Sequence, residues 1–518
     1  MNFKNLVLIM ALPLIFDFSL ADTNSIPFTT EYKYVSSDFN NLIIYQIMVE
    51  SFQDGNKSRN YEVGYGPSHH RGDLRGIINA LPYIKSLNVN AIWLTPIFDS
   101  ERGTPRVKPD FPADTKLDAT GYYARNYFEI DPHFGTMDDA RELVSKAHSL
   151  GMYVFLDGAF GHHKGNVIPS PKGYTPVGKN TKVSYPASLE FYKEVATFWI
   201  DELEIDGWRL DQVYQIPVKY LKEIRNAVEE KCAQRKAAGK QWGTLGYIVG
   251  EIWRKSDIIN KKGYGTHDNP GLLSNFNFPL RYKLVQTLAT EEKGLRISDC
   301  SVLKEGFDSH NIYPEFAIPN LMLTNHDLVR FGDLIQRAGL AGPDSPNYWK
   351  RHKCAFSFMA AYTGPITIYY GDEIGDEVKN FVYKIDDPKM ECWLKGLCDD
   401  HVSRTSGRIS DFNQNELNLK KYVSELMNFR KKNKALYNGR TINIVAKNNL
   451  YADLKISDSE KILYLLNISV NKENFNITRE YIDCDELVNA FTGEIIECIN
   501  DNFEIIVNGL SGNFYYCK

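Results

Sequence analysis

The chain has 518 residues, of which 43% are hydrophobic and 24% are charged. Its 60 Lys and Arg residues against 65 Asp and Glu residues give a net charge of −5, which offers no basic surface for nucleic acid. The mean hydropathy of −0.36 excludes a polytopic membrane protein, and the apolar and aromatic content excludes global disorder. The 8 cysteines are too few for a disulfide scaffold, but they allow bridges in an oxidising compartment.

Residues 1–21 have the pattern of a cleaved signal peptide. Lys4 precedes an apolar run at 6–16, and Ser19 and Ala21 are small residues at the positions that a signal peptidase reads. The run is shorter than the roughly 20 residues that a membrane-spanning helix needs. We therefore predict a secreted protein, with cleavage after Ala21 and no membrane association afterwards.

Short apolar segments alternate with helical patterns from about residue 40 to about residue 375. The apolar segments are continuous, which is typical of parallel strands that are covered on both faces by helices. An alternation of this length favours a (β/α)8 barrel over an open sheet. The predicted strands are 42–48, 91–95, 153–157, 207–210, 247–249, 321–324 and 365–370.

The segment before the third predicted strand carries a complete helix signature. Thr136 and Asp139 have the spacing of a capping box at its start. The apolar residues at 140, 143, 144 and 147 form one face at helical spacing. Gly151 is expected to end the helix.

Two segments depart from this alternation. Residues 163–186 are rich in Gly, Pro, Lys and Ser, and we predict a loop insertion after the third strand. From about residue 437 the runs become short and β-prone, with turns between them, which predicts an antiparallel β-sandwich. The expected organisation is an α/β protein with a signal peptide at 1–21, a catalytic barrel at 22–436 and a C-terminal β-domain at 437–518.

Acidic side chains follow four of the predicted strands. Because the carboxyl ends of barrel strands converge on one mouth, we expect these side chains to meet there. Crowded carboxylates shift each other's pKa values, so one can stay protonated while another is ionised, which suits cleavage of a glycosidic bond. A single Asp at a strand end is more often a helix cap, so the hypothesis depends on the joint occurrence. The candidates are Asp157, Asp211, Glu251 and Asp327, with His162 and His326 beside them.

The same stretch resembles the α-amylase family, whose members are retaining α-glucoside hydrolases and transglycosylases. The resemblance covers roughly residues 40 to 375 and is closest around the second strand, before the third strand and at the eighth strand. It implies the barrel fold and the cleavage of α-glucosidic bonds. The matching segments are 44–47, 72–77, 91–98, 121–122, 130–136 and 364–373.

The resemblance also assigns roles to individual residues. It implies that Asp211 is the nucleophile, that Glu251 is the general acid and base, and that Asp327 stabilises the positively charged sugar. In a retaining enzyme the nucleophile and the acid lie about 5–5.5 Å apart. Arg209 lies on the same strand face as Asp211 and can keep it ionised. The other implied site residues are Tyr122 under the sugar ring, Arg209, His162 and His326 as substrate-binding residues, and Asp157 and Asn325 as structural residues.

A possible calcium site is also implied. One loop resembles the calcium loop of cyclodextrin-forming members, and its residues are Asp54, Asn56, Asn60 and Asp73. Oxygen ligands at this spacing suit a hard cation, and an Asx-rich turn is the alternative. Relatives often bind another calcium through an Asn where this chain has Gly161, so that second ion is not expected.

Further departures from the family bear on the substrate. Many endo-acting members carry Lys-His where this chain has Tyr214 and Gln215, and the segment 251–253 is more similar to neopullulanases and cyclomaltodextrinases. The stretches 399–401 and 404–408 stand where relatives have a different, Arg-Pro-rich sequence. We predict a hydrolase of α-1,4-glucosidic bonds in starch-like α-glucans or maltooligosaccharides. The alternatives are an α-glucosidase or glucan transglycosylase of the same family and, from another class, a non-catalytic binding protein.

Overall fold

The computed structural model describes residues 29–60, 67–100, 121–163, 166–378, 399 and 401–518. Within these residues, eight parallel strands form one sheet in the order six, five, four, three, two, one, eight, seven. A parallel bridge between Phe276 and Asn320 joins the sixth strand to the seventh and closes the barrel, which confirms the predicted fold. The barrel strands are Ile43–Ile47, Ala91–Leu94, Tyr153–Gly158, Gly207–Leu210, Tyr247–Gly250, Ser274–Asn275, Leu321–Met322 and Ile366–Tyr369.

Helices surround the barrel and bury their apolar faces against it. Thr136 and Asp139 form the predicted capping box, and Gly151, with φ of +70°, follows the last turn of that helix. The longer helices are Leu74–Ser86, Met137–Ser149, Leu189–Leu203, Val218–Ala237, Phe278–Leu288, Ser301–Asp308, Phe331–Arg337, Pro346–Ala361 and Gln414–Lys432. The short ones are Asp38–Asn41, Val49–Phe52, Lys57–Arg59, Val213–Gln215, Ser256–Ile259, Asn260–Tyr264, Ser309–Ile312, Asp372–Ile374, Lys434–Asn438 and Arg479–Ile482.

The C-terminal β-domain has two antiparallel layers, as predicted. A seven-stranded sheet carries a two-stranded sheet, and Leu465 shares one buried cluster with Phe475 and Ile505. The opposite face of the large sheet packs on the barrel, where Tyr464 OH lies 2.9 Å from Ser357 Oγ. Successive residues of the strand Lys461–Asn467 thus contribute to two different hydrophobic cores. The large sheet contains Thr30–Tyr32, Arg440–Lys447, Leu450–Ile456, Lys461–Asn467, Ser511–Cys517, Glu486–Asn489 and Ile495–Glu497, and the small sheet contains Glu473–Thr478 and Asn502–Val507.

Two strands of the large sheets do not follow from the sequence patterns. Thr30–Tyr32 pairs with Arg440–Lys447 in the C-terminal sheet, although the predicted domain boundaries place it with the barrel. The sixth barrel strand, Ser274–Asn275, was not predicted because two polar residues form no apolar run. Inside the barrel Ser274 Oγ lies 2.9 Å from Tyr247 OH, so a hydrogen bond satisfies this buried hydroxyl.

The insertion after the third strand contains a small hairpin in its described part. Gly178–Lys179 pairs antiparallel with Lys182–Val183. The backbone N of Val183 donates to the carbonyl O of Gly161 at 3.0 Å, so the hairpin is anchored beside the barrel mouth. A second hairpin, formed by Phe98–Ser100 and Ala124–Ile130, follows the second strand.

Some predictions fall on other parts of the chain. The predicted signal peptide at 1–21 lies outside the described residues, as do Cys392 and Cys398. None of the helices in the described ranges is long and apolar enough to cross a bilayer. The six described cysteines form no disulfide; they are Cys232, Cys300, Cys354, Cys484, Cys498 and Cys517.

A buried histidine predicts acid sensitivity of the fold. His352 is 1% exposed, and neither ring nitrogen has a hydrogen-bond partner among the described residues. Burial lowers the pKa of His352 to about 3, whereas an unfolded histidine has a pKa near 6.5. As pH falls below about 6.5 the unfolded state binds a proton that the folded state does not, so stability decreases by up to ~1.4 kcal/mol per pH unit.

We therefore expect His352→Leu to lose less stability than the wild type between pH 6 and pH 4. Urea unfolding, followed by tryptophan fluorescence at several pH values, measures how steeply the free energy of unfolding changes with pH. His267→Leu is the matched control, because its side chain is 91% exposed and its removal leaves the slope unchanged. Equal slopes for the wild type and His352→Leu would contradict the assignment.

Candidate active site

The carboxyl ends of the third, fourth and fifth barrel strands lie side by side. The register pairs Asp157 with Arg209 and Gly250 with Leu210. The backbone N of Glu251 donates to the carbonyl O of Leu210 at 2.9 Å. Glu251 therefore extends the fifth strand and lies beside Asp211, the residue after Leu210. Because neighbouring strands lie about 4.8 Å apart, this register brings the two predicted catalytic carboxylates together.

Arg209 connects three of the predicted site carboxylates. Its Nη1 lies 2.9 Å from Asp157 Oδ1 and 2.9 Å from Asp211 Oδ1, and its Nη2 lies 3.1 Å from Glu251 Oε2. The arginine is completely buried. A planar guanidinium presents its donors in a fixed fork, so Arg209 orients the nucleophile candidate and the acid candidate at the same time.

Burial separates the protonation states of these carboxylates. It raises the pKa of Glu251 to about 8 and the pKa of Asp211 to about 6, while Arg209 opposes both increases. The pKa of Asp157 also rises to about 6 through burial. Near neutral pH the arrangement therefore favours a protonated Glu251 beside an ionised Asp211.

A chain of hydrogen bonds holds the predicted sugar-binding face. Tyr122 OH donates to Asp157 Oδ2 at 2.7 Å and lies 2.8 Å from His326 Nε2. The other ring nitrogen of His326 lies 2.7 Å from Gln46 Nε2, and Trp93 Nε1 donates to Asp157 at 3.1 Å. Burial lowers the pKa of His326 to about 3, so this ring is neutral. Gln46 and Trp93 were not among the predicted site residues.

Asp327 lies at the same mouth but has different neighbours. Arg404 Nη2 donates to its Oδ1 at 2.8 Å, and His401 Nδ1 lies 3.3 Å from that oxygen. His326 Nε2 lies 3.3 Å from Oδ2. Burial raises the pKa of Asp327, but these cationic and imidazole neighbours outweigh it and hold the pKa well below its usual range. Asp327 is thus a fixed negative charge across from Asp211 and Glu251.

A family model described as the catalytic domain of α-amylase matches residues 46–168 and 182–434. The chain belongs to the α-amylase family. It is 26% identical to α-amylase 3 of Dictyoglomus thermophilum over 87% of this chain and 89% of that protein. A cyclomaltodextrinase of Thermoanaerobacter pseudethanolicus is 28% identical over 83% of this chain and 71% of that protein.

Comparison with solved structures also places this protein in the α-amylase family. A Glu-to-Gln variant of AmyP in complex with maltotriose has a TM-score of 0.88 and 48% identity, covering 93% of this chain and 97% of that chain. AmyP in complex with maltose has a TM-score of 0.87 and 48% identity, covering 92% and 96%. The protein is therefore a glycoside hydrolase that acts on α-glucans, and the alternative of a non-catalytic binding protein is not supported.

Two residues that sequence reasoning did not assign to the site, His401 and Arg404, contact the predicted catalytic residue Asp327. They follow the eighth strand in the stretches 399–401 and 404–408, which differ from the usual family sequence. This difference was the sequence feature that could have pointed to them. Arg404 also donates from Nε to the carbonyl O of His326 at 3.0 Å. It therefore fixes both the backbone and the carboxylate of the segment that carries Asp327.

Removal of Arg404 is expected to impair this segment. Because a hydrogen bond to a charged group contributes about 1.5–3 kcal/mol, Arg404→Ala should lower kcat/KM for maltotriose roughly 10- to 100-fold. The loss of positive charge also raises the pKa of Asp327. The control is Arg408→Ala, which removes an arginine paired with Glu416. An unchanged kcat/KM for Arg404→Ala would contradict the prediction.

The remaining predicted site residues have local structural roles or border the nucleophile. Asn325 Oδ1 accepts from the backbone N of Asp327 at 2.9 Å and of Leu328 at 3.0 Å, so Asn325 shapes the turn that presents Asp327. His162 Nε2 lies 3.6 Å from Asp211 Oδ2. The structural role of Asn325 and the substrate-binding role of His162 stay predictions.

The predicted calcium ligands differ in how well they fit a cation. Asp54 Oδ1 and Asn60 Oδ1 are buried and have no hydrogen-bond partner among the described residues, which suits a hard cation. Asp73 Oδ1 accepts from the backbone N of Gly76 and caps the helix that follows, while its Oδ2 accepts from the backbone N of Asn56. Asn56 Oδ1 accepts from the backbone N of Ser58 at 3.1 Å, as in an Asx turn. No cluster of three or more His, Cys, Asp or Glu ligands occurs within the described ranges.

Proposed function

We propose that this α-amylase family protein is a retaining hydrolase of α-1,4-glucosidic bonds in starch-like α-glucans or maltooligosaccharides. The observation that carries the proposal is the Arg209 fork, which joins Asp211 and Glu251 at one barrel mouth. Their pKa order leaves one carboxylate ionised for attack and the other protonated for donation. A retaining glycosidase needs this pair.

The first half of the reaction forms a covalent intermediate. Asp211 Oδ attacks the anomeric carbon while Glu251 donates its proton to the leaving glycosidic oxygen. The anomeric carbon–oxygen bond breaks as the ester bond to Asp211 forms. Asp327, held ionised by Arg404, His401 and His326, faces the developing positive charge and accepts hydrogen bonds from the sugar hydroxyls.

The second half releases the sugar. Glu251, now ionised, takes a proton from water, and the water oxygen attacks the anomeric carbon to displace Asp211. Two inversions return the original configuration. Tyr122 and His162 border the ring position, and their hydrogen-bond partners fix them before the substrate arrives.

The names of the relatives support a class of substrate, whereas the products of cleavage separate the proposal from its rivals within the family. The maltotriose and maltose complexes of AmyP support short α-glucans as ligands. Relatives named cyclomaltodextrinase and neopullulanase share 28% identity with this chain, which supports action on oligosaccharides besides starch. An α-glucosidase or a glucan transglycosylase would use the same three carboxylates, so only the products distinguish them.

Digestion of maltoheptaose, followed by proton NMR and chromatography, tests the proposal. We expect several maltooligosaccharides shorter than the substrate, with the α-anomer formed first. Initial release of the β-anomer would overturn the retaining mechanism, and absence of cleavage would overturn the substrate class. Glucose alone, released from the non-reducing end, would establish an α-glucosidase instead. Products longer than maltoheptaose would establish a transglycosylase.

We infer that Asp54 and Asn60 hold a calcium ion, and we expect its removal to destabilise the protein. A ligand present at 100 times its Kd stabilises the folded state by about 2.7 kcal/mol. EDTA should therefore lower the thermal unfolding midpoint of the wild type and leave Asp54→Ala unaffected. Asp138→Ala, which removes a carboxylate that is 92% exposed, is the control and should respond like the wild type. No response of the wild type to EDTA would contradict the inference.

Export remains a proposal that rests on the sequence of residues 1–21 alone. Mass spectrometry of the protein recovered from its natural source tests it directly. We expect a mature chain that begins at Asp22. Recovery of a chain that retains Lys4 would contradict export by this route.

A further inference from the structure

Gly161 and Gln215 occupy adjacent space beside the nucleophile candidate. Gly161 follows the third barrel strand, and Gln215 ends the short helix Val213–Gln215 that follows the fourth. A Cβ atom at position 161 would lie 2.7 Å from both Cβ and Oε1 of Gln215. Gln215 can therefore hold this position only because residue 161 has no side chain. The two departures from the family sequence thus belong to one structural feature.

Gln215 links a hydrogen-bond network to His162. Its Oε1 lies 3.0 Å from His162 Nδ1, and its Nε2 donates to Gln212 Oε1 at 3.2 Å. Tyr214 OH donates to the same Gln212 oxygen at 2.8 Å. Because the Gln215 amide nitrogen is oriented toward Gln212, its oxygen faces the imidazole. An amide oxygen only accepts, so Nδ1 of His162 carries the hydrogen.

This orientation decides what the other imidazole nitrogen can do. With the hydrogen on Nδ1, Nε2 of a neutral His162 is an acceptor, and it lies 3.6 Å from Asp211 Oδ2. The charged groups that face the ring are Asp211, Glu251 and Arg209, and burial lowers the His162 pKa. An acceptor at this place receives a hydrogen from a sugar hydroxyl and leaves the Asp211 carboxylate free to attack.

We propose that Gln215 is a positioning residue that fixes the Nδ1–H tautomer of His162, and that Gly161 provides the space this requires. His162 Nε2 then accepts a hydrogen bond from a substrate hydroxyl next to the nucleophile. The inference rests on the proposed function for the roles of Asp211 and His162. It adds a reason for the pairing of Gly161 with Gln215, because a side chain at position 161 would meet Gln215.

The first test determines the tautomer of His162 by NMR and does not depend on catalytic activity. The full-length protein is labelled with 15N-histidine, and the His162 ring signals are identified by their loss in His162→Gln. We expect Nδ1 to be protonated in the wild type and the two tautomers to mix in Gln215→Leu. A wild-type ring protonated on Nε2 would overturn the proposal. If the ring behaves as expected but no α-glucan is cleaved, the proposed function fails while the positioning role stands.

The second test reads the pH dependence of kcat/KM for maltotriose. Gln215→Glu places a negative charge at Nδ1 and raises the pKa of His162, and a protonated His162 cannot accept a hydrogen bond from the substrate hydroxyl. We expect the acid side of the profile to move up by about one pH unit. Gln215→Leu should lose roughly tenfold in kcat/KM without that shift. Gln234→Glu, the same substitution at an exposed glutamine that bonds Glu230 on the helix Val218–Ala237, is the control for the profile. If the acid side of the kcat/KM profile of Gln215→Glu lay at the same pH as in the wild type, the proposal would be overturned.

Gly161 is tested by a double variant, because Gly161→Ala alone can also perturb folding. Gly161→Ala should displace Gln215 and mix the His162 tautomers. Gly161→Ala combined with Gln215→Gly removes both close contacts, because glycine has no Cβ, so the thermal midpoint should recover while the tautomers stay mixed. Recovery of a single Nδ1–H tautomer in the double variant would show that Gln215 is not the residue that fixes it.

Discussion

Glu251→Gln is expected to lower kcat for maltotriose hydrolysis by about 10²–10⁴-fold, the range that positioned general acid and base catalysis supplies. Glutamine keeps the size of the side chain and can still contact the Gln212 backbone N, which donates to Glu251 Oε2 at 3.2 Å in the wild type. It cannot deliver a proton to the leaving oxygen. The loss should therefore be in kcat, with KM changed much less.

The nature of the leaving group makes this test specific for the acid. Fluoride needs little protonation to depart, so Glu251→Gln should retain far more activity on α-glucosyl fluoride than on maltotriose, measured by fluoride release. Asp211→Asn is the matched comparison and should lose both activities, because it removes the nucleophile. Wild-type hydrolysis of maltotriose by Glu251→Gln would show that another group is the acid.

The same variant should change the pH profile. Because burial raises the pKa of Glu251 to about 8, kcat/KM for maltotriose should decline as pH rises through about 8, where the acid loses its proton. Burial also raises the pKa of Asp211 to about 6, which sets the decline on the acid side. The pair titrates jointly, so the two limits describe the site as a whole. In Glu251→Gln the alkaline decline should disappear when α-glucosyl fluoride is the substrate.

Arg209→Met is expected to destabilise the protein by about 3–5 kcal/mol and to abolish measurable hydrolysis. Removing one partner of a buried ion pair leaves uncompensated charge, and here three carboxylates lose their common cation. Methionine has a comparable length, so the cost is mainly electrostatic. Without Arg209 the folded-state pKa values of these carboxyls rise, so they bind protons more readily folded than unfolded. The destabilisation should therefore be smaller at pH 5 than at pH 8.

Urea unfolding at the two pH values measures this effect. Arg141→Met is the control, because Arg141 is half exposed and its ion pairs with Asp138 and Glu202 lie at the surface. Exposed pairs contribute at most about 1 kcal/mol, so its stability should hardly change. If Arg209→Met were no more destabilising than Arg141→Met, the central electrostatic role of Arg209 would be wrong.

Site residues could be predicted from the sequence where the same short segment showed both a strand pattern and the catalytic side chains. The segment 207–210 is apolar enough to be recognised as a strand, and Arg209 and Asp211 lie two residues apart, so their shared face follows from the strand period. Glu251 and Asp327 likewise follow directly on recognised strands. Strand order then places these side chains together, because parallel barrel strands end on one side.

The residues that were missed give no such local signal. Gln46 lies within an apolar strand and acts only through His326, which is 280 residues away in sequence. Arg404 lies in a stretch without regular periodicity, and its partner Asp327 is fixed by tertiary structure. Ser274 and Asn275 form a strand of two polar residues without an apolar run, and the buried Ser274 hydroxyl is satisfied by Tyr247 from another strand. These contacts arise from packing between distant segments, which periodicity and spacing do not encode.

The pairing of Thr30–Tyr32 with Arg440–Lys447 has a consequence for how the chain is made. About 400 residues separate the two strands, so this edge of the sheet closes only after nearly the whole polypeptide has left the ribosome, and such distant pairing is slow. Until then the N-terminal segment has no partner strand in the large sheet. Recombinant versions should therefore keep residues 30–32 together with the C-terminal sheet, because a cut at the apparent barrel boundary would expose the longer strand Arg440–Lys447 as the edge of that sheet.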